Sequence, residues 1–321
     1  MPLPAVSSPH PLHNAVCWQM GEALRCAIHS DDAEILDYAA HVVVATPAPN
    51  GTEQQAADLS WRIEQPNGHD SWHAQPLTDS TPSFQAETLP ELLTAIEYGA
   101  LQLLLSCGTE SFFSLHAALL TKNGRSVVIV GPKEAGKSTL ACALWAQRGW
   151  TLRGDDSALV DTENKTRPAP RRVSLRNGSR PLLGEELWNR LGGLPSTYPT
   201  AQGLLFHPHE LENRGEPETA YQPSAVFFLA RRESTATNAE AVAITPALAA
   251  LALLPYSTFL LPRGEQLLCP ARVDWGASLP RLTAFAARVP MFDLGRGPLD
   301  AMTREVERLV FHANPIATSI S

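Results

Sequence analysis

Residues 131–139 read Gly-Pro-Lys-Glu-Ala-Gly-Lys-Ser-Thr, which fits the pattern G-x-x-x-x-G-K-[ST] with Gly131, Gly136, Lys137 and Ser138 in its defined places. That spacing suits polyphosphate chemistry: glycines let backbone N–H groups approach the phosphates, a lysine ammonium neutralises them, and a hydroxyl ligates magnesium. The candidate nucleotide cradle is therefore Gly131, Pro132, Lys133, Glu134, Ala135, Gly136, Lys137, Ser138 and Thr139. Of four lysines in the chain, Lys122, Lys133, Lys137 and Lys165, two fall in this stretch. Lys137 sits where the motif needs a cation, and Lys133 reads as a solvated loop residue. Farther on, Asp155 and Asp156 stand between the short apolar runs of Leu152 to Val160. Carboxylates at a strand end can hold magnesium, directly or through water, or take the proton of an attacking hydroxyl.

These side chains need elements to position them. The apolar runs Phe112 to Leu120 and Ser126 to Val130 flank Lys122-Asn123-Gly124-Arg125, and Asn-Gly supplies the positive φ angles of a tight turn, so an antiparallel hairpin is predicted. Its second strand runs into the loop. Leu140, Ala143 and Leu144 then mark the apolar face of a helix, closed by Arg148 as a C-terminal cation and Gly149 as a left-handed cap. Elsewhere the spacing predicts helices over Asp31 to Ala40, Pro90 to Leu105, Pro246 to Leu254 (buried) and Leu299 to Phe311. The expected organisation is a loose tail over 1–14, a small mixed α+β subdomain over 15–108 and a nucleotide-binding catalytic domain over 109–321.

Composition narrows the classes. Apolar residues make up 44% and charged residues 18% of 321, as in a packed globular chain rather than a disordered one. A net charge of −8 argues against a broad surface for nucleic acid or anionic lipid, and no apolar stretch reads as a membrane span. Cys17, Cys26, Cys107, Cys142 and Cys269 are odd in number and contain no C-x-x-C, which fits a reducing cytoplasm and supports neither disulfide framework nor zinc cluster. His207-Pro208-His209 reads as a loop, and no transition metal is assigned. Arg171, Arg172 and Arg176 surround a strand-like run and suit phosphate, an acidic peptide or plain solvation; Arg231-Arg232 carry the same alternatives.

Four features in order resemble the catalytic domain of HPr kinase/phosphorylase and its bacterial relatives: His116 in Leu115-His116-Ala117, the loop Gly131 to Ser138, Arg148-Gly149, and Asp155-Asp156. The likeness covers residues 112–161, with weaker likeness over 225–230 and 289–294, and leaves the first hundred residues uncovered. It implies an α/β fold with a mainly β core and surrounding helices. It also implies ATP and magnesium use and γ-phosphate transfer to a hydroxyl, as on serine of a peptide or protein. Lys137 would sit on the phosphates, Ser138 on the metal, and the aspartates would supply base and metal contacts, with Asp155 favoured as base and Asp156 as metal ligand. His116 would steady a carboxylate or the phosphates, or serve only as a structural residue. Two departures matter. Lys133-Glu134 occupy places where the relatives carry small residues, and the later segment associated with the reverse reaction is not recognisable. Kinases outside carbohydrate regulation, including those that modify peptide natural-product precursors, therefore fit better. A nucleotide-hydrolysing switch and a non-catalytic nucleotide sensor are the competing classes, the latter suggested by Glu134. Nothing in the sequence opposes self-association into a homo-oligomer.

Overall fold

A run such as Val127-Val128-Ile129-Val130 has no polar side to turn toward water, so it must be covered on both faces. The computed structural model covers it in this way. It describes residues 15–20, 24–43, 46–47, 57–65, 71–79, 81–107, 112–169, 171–211, 220–229, 239–257 and 275–312 of a mixed α/β chain with several sheets. The tail over 1–14 and Arg231-Arg232 lie outside the described residues. The chain divides into two units, Met1–Leu104 and Leu105–Ser321.

The first unit carries β1 (Ala15–Met20), β2 (Leu24–His29), α1 (Ala33–Val42), β3 (Thr46–Pro47), β4 (Leu59–Glu64), β5 (Trp72–Pro76), β6 (Phe84–Ala86) and most of α2 (Leu89–Cys107). Its strands form one sheet in the order β3-β1-β2-β4-β5-β6, antiparallel except between β2 and β4. Trp18 and Trp61 stack at 6.2 Å between centroids and are buried, as are Leu92, Leu93 and Ile96 of α2. The helix expected from Asp31 begins at Ala33 because the Asp32 carboxylate accepts from the Glu34 N–H at 2.8 Å and caps it.

The second unit contains β7 (Phe112–Leu115), β8 (Ala117–Lys122), β9 (Arg125–Val130), α3 (Lys137–Arg148), β10 (Thr151–Gly154), β11 (Ala158–Asp161), β12 (Thr166–Pro168) and β13 (Val173–Arg176). After these come α4 (Arg180–Leu183), α5 (Glu185–Gly192), β14 (Tyr198–Thr200), β15 (Gly203–Phe206), β16 (Pro223–Leu229), β17 (Ala241–Ala243), α6 (Pro246–Leu253), α7 (Trp275–Arg288), β18 (Met291–Leu294) and α8 (Leu299–Glu307). The main sheet runs β10-β8-β9-β16-β18-β17, with β9, β16 and β18 parallel. Two three-stranded sheets, β12-β11-β7 and β13-β15-β14, accompany it. Alternate residues of the central strands face opposite cores. Leu120, Val127, Ile129 and Phe227 pack with Leu140, Leu144 and Val306, whereas Leu119, Val128, Val130 and Phe228 pack with Leu253, Leu282 and Phe285.

The predicted hairpin forms, with Asn123 at φ 50° and Gly124 at φ 71°, and Gly149 caps α3 at φ 66°. The strand expected from Phe112 to Leu120 does not form as one piece. It breaks at His116, because β7 pairs with β11 whereas β8 pairs with β9 in a different sheet. The His116 N–H at the break donates to Tyr256 O at 2.6 Å. α6 is also less buried than its sequence predicts: Leu248 and Leu251 are each 59% exposed while Ala249, Ala250, Ala252 and Leu253 are buried. Among the described residues, no helix is long and apolar enough to cross a membrane.

Candidate active site

The loop between β9 and α3 is set by its backbone. Gly136, the N-cap of α3, adopts φ 96°, where a side chain would be strained. A Cβ on Gly131 would stand 3.2 Å from Ala135 Cβ and from Leu229 Cβ and O, so a side chain there would press the loop start a few tenths of an ångström away from β16. The Lys137 side chain folds back into the loop it follows. Its Nζ donates to Gly131 O at 3.0 Å, Pro132 O at 3.2 Å and His116 Nε2 at 2.9 Å. Burial pushes the Lys137 pKa down, against the pull of the Asp155 and Asp156 charges.

With the ammonium donating to Nε2, the His116 ring proton belongs on Nδ1, which lies 3.0 Å from Asp156 Oδ1 and 3.1 Å from Asp156 O. Asp156 Oδ2 accepts from Arg171 Nη1. A line of polar groups therefore runs from Lys137 through His116 and Asp156 to Arg171. Burial by itself would raise the Asp156 pKa. The His116 hydrogen bond, then the charges of Arg171, His116 and Lys137, outweigh it and hold the carboxyl well below the usual range.

Asp155 has different partners and the opposite shift. It is buried, and its Oδ2 accepts from Ser138 Oγ at 2.7 Å and, more weakly, from the Ser174 N–H at 3.4 Å. Its Oδ1 is buried with no hydrogen-bond partner. Burial, then the neighbouring Asp156 charge, push the Asp155 pKa up against Ser138, Lys137 and Ser174. Adjacent in sequence, the two carboxylates diverge because Asp156 takes a left-handed backbone at φ 66°. Ser138, expected to share a metal with Asp156, is bonded instead to Asp155.

The remaining candidates separate. Pro132 and Lys133 are exposed, and Ala135 packs against the core. Thr139 turns inward, its hydroxyl 2.7 Å from that of Ser179. Glu134, also left-handed at φ 67°, has its carboxylate 3.2 Å from Arg176 Nη1. Sequence reading missed Ser174 and did not pair Arg171 or Arg176 with any acid. The available signal was the alternation along β13, with Val173 and Leu175 buried and Ser174 and Arg176 on the other side. His207 is buried and its N–H donates to Ser196 Oγ; the His209 side chain lies outside the described residues. Among the described residues, no three or more His, Cys, Asp or Glu side chains cluster to hold a metal. No family model matches the chain, and no curated protein matches it significantly.

The opposed shifts make a stability prediction. A carboxyl whose folded pKa is depressed contributes stability that is present above its unfolded pKa and is lost as pH falls through its folded value. Asp156→Asn should therefore destabilise the protein at pH 7 by about 1–2 kcal/mol, a charge-assisted bond discounted because the Asp156 side chain is 32% exposed. In urea unfolding, the gap between wild type and variant should narrow only below about pH 4, the unfolded carboxyl range. A gap that is absent at pH 7 contradicts the pairing.

Proposed function

We propose that the chain is an ATP- and magnesium-dependent phosphotransferase that moves the γ-phosphate to a hydroxyl, serine on a peptide or protein, in the manner of the HPr-kinase-like enzymes. On this reading the second unit is an HPr-kinase-like nucleotide domain. The observation that carries the proposal is the meeting of a buried ammonium, Lys137, and a buried carboxylate with an unpartnered oxygen, Asp155, at one glycine-bearing loop. Around them stand Ser138, His116, Asp156 and Arg171, each with a defined partner.

Lys137 needs only to exchange the Gly131 and Pro132 carbonyls for phosphate oxygens. Asp155 is the proton acceptor for the attacking hydroxyl, since a carboxyl with a raised pKa is a stronger base and its Oδ1 is uncommitted. Asp156 is too strongly held as an anion to take a proton; it orients His116, whose Nε2 in turn orients the Lys137 ammonium. Magnesium fits the Ser138 hydroxyl and the Oδ2 side of Asp155, hard oxygen donors beside an oxygen that lacks a partner. When bound it supplies charge neutralisation on the polyphosphate.

The case for a non-catalytic sensor was an acid inside the anion loop, and that acid is paired with Arg176. The test is incubation with γ-labelled ATP, magnesium and a peptide library. Label on peptide serine is the expected result. Release of labelled phosphate with no labelled peptide would make the protein a hydrolysing switch, and binding without turnover would make it a sensor.

A further inference from the structure

Glu134 is the one acid in the candidate cradle, and polyphosphate binding beside a bare carboxylate would be opposed by like charge. Its carboxylate lies 3.2 Å from Arg176 Nη1, across from the loop on β13. That strand borders the site, where the Ser174 N–H reaches Asp155 Oδ2 at 3.4 Å. Ser174 and Arg176 are two residues apart and share one face of the strand, with Val173 and Leu175 buried on the other. Arg176 therefore arises from the edge that contacts the catalytic carboxylate, and its head group reaches the loop. Both partners keep water contact, with side chains 39% exposed for Arg176 and 63% for Glu134. A solvent-exposed pair of this kind contributes little to stability and is readily exchanged. A phosphate chain carries more charge than one carboxylate, and guanidinium can bind it through two parallel N–H bonds.

We propose that Arg176 is a phosphate-binding residue of the nucleotide site and that Glu134 holds it in reserve, as an internal anion displaced by the incoming polyphosphate. The inference rests on the loop being a nucleotide site and goes beyond it, since neither the motif nor the pairing of Lys137 requires an arginine from β13. In the paired state Glu134 and Arg176 cancel, so the loop presents no net charge from that pair. In the bound state Arg176 turns to the phosphates and Glu134 remains in solvent, where most of it already lies.

The experiment is a double-mutant cycle read by calorimetric titration with MgATP at low salt. Glu134→Gln removes the competitor and should tighten binding about three- to tenfold, whereas Arg176→Gln should weaken it about tenfold. In the Arg176→Gln background, Glu134→Gln relieves only the screened repulsion of an exposed carboxylate and should tighten binding less than about twofold. Arg176→Lys keeps the charge without the planar fork and should recover part of the lost affinity, which also covers a Gln variant that fails to fold. Equal tightening by Glu134→Gln in both backgrounds would reduce Glu134 to a repulsive charge and overturn the latch. An unchanged affinity for Arg176→Gln would remove Arg176 from the site. Wild type that binds MgATP without this coupling sinks only the latch; wild type that binds no nucleotide sinks the nucleotide reading as well.

Discussion

Asp155→Asn is expected to cut phosphoryl transfer by about 10²- to 10⁴-fold, the range for removing a general base, with a much smaller loss of MgATP affinity, because the amide oxygen can still ligate magnesium without the carboxylate's charge. The amide keeps the shape of the carboxylate, and its oxygen can still accept from the Ser138 hydroxyl. What it loses is the ability to take a proton at the position of Oδ1. Stability should move the other way from activity. Asp155 has a folded pKa above its unfolded value, so its ionisation opposes folding as pH rises from the unfolded value through the folded one. At pH 7 the variant should therefore be no less stable than wild type, and more stable by about 1 kcal/mol where the buried charge is fully relieved. The wild-type rate should fall on the acid side through a pKa above the usual carboxylate value, and the residual activity of the variant should lack that limb. A variant that keeps more than a tenth of wild-type transfer would leave the reaction without a base at this position.

The elements around that carboxylate were far more legible in the sequence than its partners. Asn123-Gly124, Gly149 and the apolar run of β9 act locally: a turn type, a cap and a strand covered on both faces follow from a few neighbouring residues. The order of strand, loop and helix followed from the same signals. His116 shows where local reasoning stops. Apolar residues on both sides predict one continuous strand, but the flanking segments find partners in different sheets, and strand pairing is decided by residues far along the chain. The residue left between sheets is the one whose ring meets both Lys137 and Asp156.

The two aspartates show a second limit. Adjacent acids suggest one shared task, and sequence cannot show that Asp156 enters the left-handed region and sends the two side chains to separate partners. Ser138 with Asp155, Asp156 with Arg171, and Glu134 with Arg176 are contacts between segments separated by at least one intervening strand. In sequence the arginines of residues 171–176 suit phosphate, an acidic peptide or plain solvation equally well. Sequence cannot say that Arg171 is committed to a site carboxylate and Arg176 to the loop, because both acids stand well apart from them along the chain.

Lys137→Met should lower kcat/KM for ATP by about 10²- to 10³-fold, comparable to deleting one preorganised donor to a transition-state anion. Methionine keeps most of the length and apolar volume of the side chain, so the space it fills beside the loop stays filled while the charge disappears. The ammonium is expensive to bury, as its lowered pKa shows, and wild type keeps it by offering two carbonyls and an imidazole nitrogen in place of water. Replacing it with a thioether removes that cost but leaves two carbonyls and an imidazole nitrogen without their donor, so the urea midpoint should shift far less than activity does. Loss of activity out of proportion to any loss of stability separates a ligand-binding lysine from a structural one. Lys137→Arg sharpens the contrast: the charge remains, but a planar guanidinium cannot reproduce three donations from one nitrogen to acceptors at 2.9, 3.0 and 3.2 Å. Saturating MgATP should raise the melting temperature of wild type and Asp155→Asn, which both keep the ammonium, and should leave Lys137→Met unmoved. If Lys137→Met binds MgATP as wild type does and still transfers phosphate, the lysine in the loop serves only to satisfy its own carbonyls.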